Sequence, residues 1–349
     1  MREVIADIER WRGSNEPVAL ATVVETWGSA PRGVGAKLAL TPSGRIVGSV
    51  SGGCVEGAVF ESGVETLNTG RARLLSFGVA DETAWEVGLA CGGHIEVFVE
   101  PLIDDHLQIV SKWMAREESG AVATVIKGPD GYMGRKLYVT AGGSQQGTIH
   151  HDADDKIAAL AKSALLTARS GSYSMHVAPH ELVVFVDTIL PAPALILVGG
   201  AHIAIALTTI ARAVGFHTIV IDPRRAFGNI ERFPHVDRLI QAWPDDAFKD
   251  VTITESTAVA MLTHDPKIDD PALKYVLLTP AFYIGALGSS ATHAKRRRRL
   301  LDTGVAPQLV DRIHSPIGLD INAQTPEEIA VAVMAEIIAV SRKAERVQI

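Results

Sequence analysis

The chain has little cysteine, no excess of basic charge and no uninterrupted apolar run long enough to cross a membrane. Only two cysteines, Cys54 and Cys91, occur in 349 residues. Two thiols do not make a disulfide framework, and a long chain so poor in them reads as cytoplasmic. They are also too few for a structural zinc site, which usually takes four ligands. Lys and Arg number 33 against 40 Asp and Glu, for a net charge of −7. A nucleic-acid-binding protein is more often basic, so that class is set aside. The most apolar stretch, Ala194 to Ala206, follows two prolines and is broken by a glycine pair and His202. It fits a buried strand turning into a helix, not a membrane span. The N-terminal MREVIADIERW is charged and amphipathic and lacks the apolar core of a signal peptide. Neither an internal repeat nor a low-complexity tract is legible.

What remains suits a folded protein. Hydrophobic residues make up 47% and charged residues 21%, enough to bury a core. The length favours two domains, and Pro191 and Pro193 mark the boundary. The expected division is an N-terminal mixed α/β domain over 1–190 and a C-terminal Rossmann-like doubly wound parallel sheet over 194–345. In the first, helices are expected at 3–12, 54–67, 107–114 and 157–168. Strands are expected from Val18, around a turn at Pro42-Ser43-Gly44, from His94, at 122–126 and 136–139, and at 182–186. In the second, LILV leads to a helix over 203–214 and then to HTIVI. Asp270-Pro271 is read as opening a short helix. Val276 to Leu278 is read as a strand or as the end of that helix. Thr325-Pro326-Glu327-Glu328 is a capping box before a long apolar helix. Strands alternating with helices imply a parallel sheet.

Two glycine loops in the second half invite anions. LILVGGAHIAIAL has the strand-loop-helix context of a dinucleotide fingerprint, with Gly199, Ala201 and Ala204 at the three small positions. Gly200 and His202 complete the loop. Ala201 stands where a glycine normally lets the backbone touch a pyrophosphate. Asp222 ends the next strand, where an acid bonds a ribose hydroxyl; Arg224 and Arg225 instead suit a phosphate. In YIGALGSS, Gly285 and Gly288 would turn amides toward a ligand, and Ser289 would cap a helix that carries His293. Arg296 to Arg299 wrap a full helical turn and read as a solvated face.

The first half carries the sharper signal. GSVSGGCVEGAV brings Ser51, Gly52, Gly53 and Cys54 to the start of a helix. Consecutive glycines permit a nest of amides aimed at an anion or oxo group. A thiol at a helix N-terminus is favoured as thiolate, suited to ligating a soft metal, carrying sulfur or attacking a substrate. Glu56 stands close enough to orient water or a ligand. LACGGHIEVFVEP repeats the idea with Cys91, Gly92 and Gly93. For any one cysteine the plain alternative is a small buried hydrophobe. His150 and His151 lie in a polar stretch and read as solvent-facing.

Taken in order, SGGCVEGAV, ACGGHIEVFVEP, the GGAH loop, DPR, YIGALGSSATHAKRR and HSPIGLDINAQTPEEIAVAVMAEIIA resemble the xanthine dehydrogenase accessory protein family (XdhC/CoxI). The resemblance covers about residues 17–101 and 194–340. It implies a molybdenum cofactor chaperone that binds the cofactor and assists exchange of an oxo ligand for sulfur with a cysteine desulfurase. The chaperone then delivers the cofactor to an apo-molybdenum hydroxylase. It implies a homodimer as one oligomeric state, and an accessory factor more than a turnover enzyme. On this reading Cys54 contacts molybdenum or relays sulfur, and Cys91, Gly92 and Gly93 complete the pocket. Two rivals stay open: an NAD(P)-dependent oxidoreductase, which lacks a visible Tyr-x-x-x-Lys pair, and a scaffold that docks sulfurase to apoenzyme.

Overall fold

The computed structural model describes residues 1–78 and 93–347. The chain divides into two compact units, Met1–Pro191 and Ala192–Ile349. The first is mixed α/β and the second is built on a six-stranded parallel sheet.

The first unit opens with α1 (Arg2–Gly13), whose Val4, Ile8 and Trp11 fall on one buried face, the spacing of an amphipathic helix. Then come β1 (Ala19–Trp27), β2 (Lys37–Leu40), β3 (Ile46–Gly48), α2 (Glu56–Thr69), β4 (Arg73–Phe77) and β5 (His94–Pro101). After α3 (Asp104–Ala115) follow β6 (Gly120–Lys127), β7 (Lys136–Thr140), β8 (Gln145–Gly147), α4 (Asp154–Thr167), β9 (Gly171–Val177) and β10 (His180–Ile189). The sheets run β3-β2-β1-β5-β4 and β8-β7-β6-β10-β9. These are one topology used twice, so the expectation of no internal repeat is corrected.

The registers coincide as well. Thr22 pairs with Lys37 and Phe98, and Thr124 with Lys136 and Phe185. Gly48 (φ 80°) and Gly147 (φ 83°) both turn out of their third strands. A side chain there would drive into the carbonyl of Lys37 or Lys136. The shared residues are few: A-x-A-T-V at 19 and 121, K-L-x-x-T at 37 and 136, and V-F-V-acid at 97 and 184. They mark strand geometry rather than continuous identity, and so they read as ordinary strands.

Each helix covers one face of its own sheet, α2 over Val23, Leu38 and Val97 and α4 over Val125, Leu137 and Val184. The two copies also share a small core of Val24, Phe98, Ile126 and Phe185, with Leu74 and Met133 packed against it. Burying four such side chains contributes roughly 6–12 kcal/mol before ordering costs. Beside this core, ion pairs are exchanged between copies: Lys37 with Asp187 at 2.8 Å and Lys136 with Glu100 at 2.7 Å. Buried pairs roughly break even against desolvation, so apolar packing drives the association.

The second unit contains β11 (Ala194–Val198), α5 (His202–Ala213), β12 (His217–Ile221), β13 (Arg238–Ile240), α6 (Pro244–Ala247) and β14 (Thr257–Met261). It continues with α7 (Pro266–Val276), β15 (Tyr283–Ala286), α8 (Ser290–Asp302), α9 (Pro307–Val310), β16 (Ile313–His314) and α10 (Pro326–Val347). The strand order is β13-β12-β11-β14-β15-β16, a doubly wound Rossmann arrangement whose direction reverses between β11 and β14. One face packs against α7 and α8, the other against α5 and α10. The capping box holds: Thr325 Oγ1 accepts from the Glu328 N–H at 3.2 Å, and Glu328 accepts from the Thr325 N–H at 3.2 Å.

Two expectations fail here. α7 begins at Pro266, capped by Asp265, and Pro271 lies inside it, whereas Val276 ends that helix, the second of the two readings given for it. Arg296 is not on a solvated face. It is 1% exposed, turned inward toward the Leu287 carbonyl and Asp269. Among the described residues, no helix is long and apolar enough to cross a membrane.

Candidate functional site

Cys54 is exposed and free, which is unusual for a thiol with no disulfide. It stands just ahead of α2, whose N-cap is Val55. The loop carrying it is fixed from within by Glu56. One carboxylate oxygen accepts from the Ser49 hydroxyl at 2.6 Å and from the N–H groups of Val50 (3.2 Å), Ser51 (2.9 Å) and Gly52 (3.1 Å). The other accepts from the Gly53 N–H at 2.9 Å and from the Ser51 hydroxyl. Gly52 and Gly53 have φ of 79° and 121°, which lets successive amides converge on one point.

The expected nest therefore exists, but its anion is Glu56. This corrects the reading of Glu56 as a group that orients water or ligand, and of Gly52 and Gly53 as amides open to an external anion. Burial works to raise the Glu56 carboxyl. Hydrogen bonds from Ser49, from Ser51 and from the loop backbone overcome it and bring it down to about 2. A carboxylate this acidic is a poor proton carrier near neutrality. Its task is to hold the loop.

Cys91 and Gly92 lie outside the described residues. Gly93 is described and packs against the Ser29 and Trp27 carbonyls, too close for any side chain. Pro31 lies near Gly52, and Arg32 donates to the Ser49 carbonyl at 3.2 Å. The segment Ser29–Arg32 thus touches both the Cys54 loop and Gly93. The sequence reading passed over this segment, although its Gly-Ser-Ala-Pro run was a turn signal. Trp27 beside it is 73% exposed.

In the second unit, Gly199 (φ 111°) ends β11 and sits against Thr263 of the next loop. Ala201 is the N-cap of α5, and His202 is its exposed first residue. Asp222 is fully buried. Its Oδ2 accepts from the Gly200 N–H and from Arg224 Nη2, both at 2.7 Å, and its Oδ1 from Arg224 N and Nε at 2.9 Å. Burial alone would raise its pKa; the bonds from Arg224 and Gly200 lower it. Both oxygens are occupied from inside the fold, so Asp222 offers no acceptor to a ribose diol, and that expectation is corrected.

The Arg224 guanidinium lies 4.2 Å above the Phe227 ring. Both line a cleft of about 520 Å³ with Ala201, Thr263, His264 and Asp265, at the carboxyl ends of β11 and β14, where open α/β sheets bind ligands.

Gly285 is a β15 residue whose missing side chain makes room for Ile317 and the Tyr283 hydroxyl, so it packs the sheet rather than presenting an amide. Gly288 (φ 128°) does form the turn, and Ser289 caps α8 by accepting from the Thr292 N–H at 3.3 Å. His293 faces inward: its Nδ1 is buried without a partner, and desolvation and the nearby Arg296 and Arg297 lower its pKa. Beneath this turn Arg296 donates to the Leu287 carbonyl at 2.8 Å and approaches Asp269 at 3.5 Å. Asp269 is raised to about 6, burial outweighing its bonds to Thr263 and Arg296. The sequence reading also missed His314, whose Nδ1 meets Glu336 at 3.2 Å while its ring stacks on Tyr283; the HSPIGL run was its signal.

Comparison with known proteins fits this architecture. A profile of the XdhC and CoxI family matches residues 11–78, and one of the XdhC Rossmann domain matches 195–337. A Bacillus subtilis protein, named as a probable subunit of xanthine dehydrogenase, is 31% identical over 329 residues, 93% of either chain. The chain belongs to the XdhC/CoxI family. The Escherichia coli "Molybdenum cofactor insertion chaperone PaoD" is 25% identical across 94% of this chain and 84% of its own. A Bacillus halodurans crystal structure, described as a xanthine dehydrogenase, superposes with a TM-score of 0.79 at 27% identity, covering 97% and 96%.

Proposed function

We propose that this member of the XdhC/CoxI family is a xanthine dehydrogenase accessory protein that binds molybdenum cofactor as cargo. It assists the cofactor's sulfuration with a cysteine desulfurase and its insertion into an apo-molybdenum hydroxylase. The observation that carries this reading is an exposed thiol on a loop locked by its own carboxylate. A soft thiolate suits molybdenum or a transferable sulfur, and a fixed loop spares the ordering cost of binding.

The cargo's phosphate does not belong in the Cys54 nest, which Glu56 fills. Within the second unit, the turn Gly288–Ser289 and the Arg224 wall of the cleft are the features that favour anions, as a helix start and a guanidinium both do. The PaoD likeness supports the insertion step. The occupied Asp222 speaks against the rival NAD(P) oxidoreductase, and the rigid thiol loop against a mere scaffold.

The test is to titrate the purified protein with molybdenum cofactor, and separately with NAD(H) and NADP(H). Cofactor is expected to bind and the dinucleotides are not. Replacing Cys54→Ala should abolish activation of the apo-hydroxylase. Unchanged cofactor binding and activation by that variant would remove the thiol from the mechanism.

A further inference from the structure

The duplication gives the Cys54 loop a counterpart. In the second copy, Asp154 opens α4 as Glu56 opens α2. Its carboxylate accepts from the Thr148 hydroxyl at 2.5 Å and from the N–H groups of Ile149 (2.9 Å) and His150 (3.0 Å). Ser49, Val50 and Ser51 are bound in the same way in the first copy. His150 therefore occupies the place of Ser51. His151 and Asp152 occupy the stretch that carries Gly52, Gly53 and Cys54, in a loop one residue shorter.

We propose that this second clamped loop is a site for a borderline divalent cation of the Zn²⁺, Co²⁺ or Ni²⁺ class, held by His150, His151 and Asp152. One ligand atom from each of the three lies within 4.8 Å of the others. His151 Nε2 is 3.2 Å from Asp152 Oδ1, and His150 Nδ1 is 4.0 Å from Asp152 Oδ2. Donors sharing one tetrahedral zinc ion stand about 3.4 Å apart, so the set closes on an ion when the two stacked imidazoles turn toward it.

The loop is prepared for this task. The Asp152 N–H donates to His150 Nδ1 at 3.3 Å, which ties the ring to the loop backbone; coordination through that nitrogen would replace this bond. The His150 ring stacks on His151 at 4.7 Å and on Tyr132 at 6.2 Å. Arg135 in turn lies over Tyr132 and donates to the Ile149 carbonyl. His150 thus has two ring contacts, while His151 and Asp152 remain exposed. Two imidazoles and one carboxylate, with positions left for water, form a borderline donor set rather than a hard calcium-type one.

The proposal is tested on the full chain with Cys54→Ser and Cys91→Ser, so that no thiolate competes. Calorimetry with Zn²⁺, and visible absorption with Co²⁺, should show one ion per chain. His151→Ala and Asp152→Asn should each weaken binding by about tenfold or more, since even groups that only orient a metal's ligands are worth that much. Both side chains are exposed, and circular dichroism checks that the fold is kept. His176→Ala, at an exposed pair with Glu181 elsewhere in the copy, should change nothing. Absence of binding at millimolar ion, or binding indifferent to both loop variants, overturns the site; so does loss of binding in His176→Ala.

Discussion

At the scale of single residues, a carboxylate decides how the thiol is presented. Glu56 accepts from four backbone N–H groups and two hydroxyls. Replacing it by glutamine keeps the shape but removes the charge those donors converge on. Glu56→Gln should lower stability by roughly 1.5–3 kcal/mol at pH 7, the range for hydrogen bonds to a charged group. The pH dependence has a definite sign. The folded pKa, about 2, lies below the ordinary 4.5, so the stabilisation is complete above pH 4.5 and fades as pH falls toward 2. Melting of parent and variant should differ most at pH 7 and converge in acid. A constant difference down to pH 2 would show that the charge is not what holds the loop. Asp269 runs the other way: its raised value of about 6 against the ordinary 3.8 means that stability is lost as pH rises from 3.8 toward 6. The sequence sets Cys54 and Glu56 in one loop, but a glutamate two residues past a cysteine looks equally like a ligand or a clamp. Only the convergence of the amides on it distinguishes the two. Arg296 was misread for a related reason. In a run of four arginines the sequence does not show which one turns inward.

Among elements, legibility followed the strength of local punctuation. The helix over 56–69 was readable from its apolar spacing and from Gly70, which adopts the left-handed cap at φ 69°. The Rossmann strands Ala194–Val198 and His217–Ile221 were readable as short β-branched runs before glycine and aspartate. The strands Arg73–Phe77, Gly171–Val177 and Thr257–Met261 were not: the first two mix charge or polar residues into the run, and three of the five residues of the third are alanine or threonine. Their pairing partners, not their own propensities, make them strands. The repeat was hidden for the same reason, since pairing and not identity carries it. Its exchanged ion pairs give a sharp test. Lys136 and Glu100 are both buried, and Thr124 is the lysine's other partner. Lys136→Met strands a buried carboxylate and should cost about 3–5 kcal/mol in denaturant unfolding. Adding Glu100→Leu should recover most of that. If the double variant is as unstable as the single, the pair contributes more than mutual neutralisation.

For the whole molecule, the cores bear on how the chain folds. Each apolar cluster among the described residues is confined to one unit. Val4 to Ile189 supply one set, and Leu195 to Ile337 supply the other. Both segments exceed the length at which a single core suffices without disulfides or metal. Fragments 1–191 and 192–349, expressed separately, should therefore each fold and unfold cooperatively. Denaturant slopes scale with the surface exposed on unfolding, so fragment 1–191, the longer, should show the steeper one. Function should divide along the same line. Fragment 1–191 should keep the clamped Cys54 loop and the cation site, while phosphate affinity should stay with 192–349, which carries Arg224 and the Gly288–Ser289 turn. A fragment that is folded by circular dichroism yet has lost its assigned ligand would mean that the residues assigned to it do not hold that ligand by themselves. An unfolded fragment would instead mean that the cores, though separate in residues, are not separate in stability.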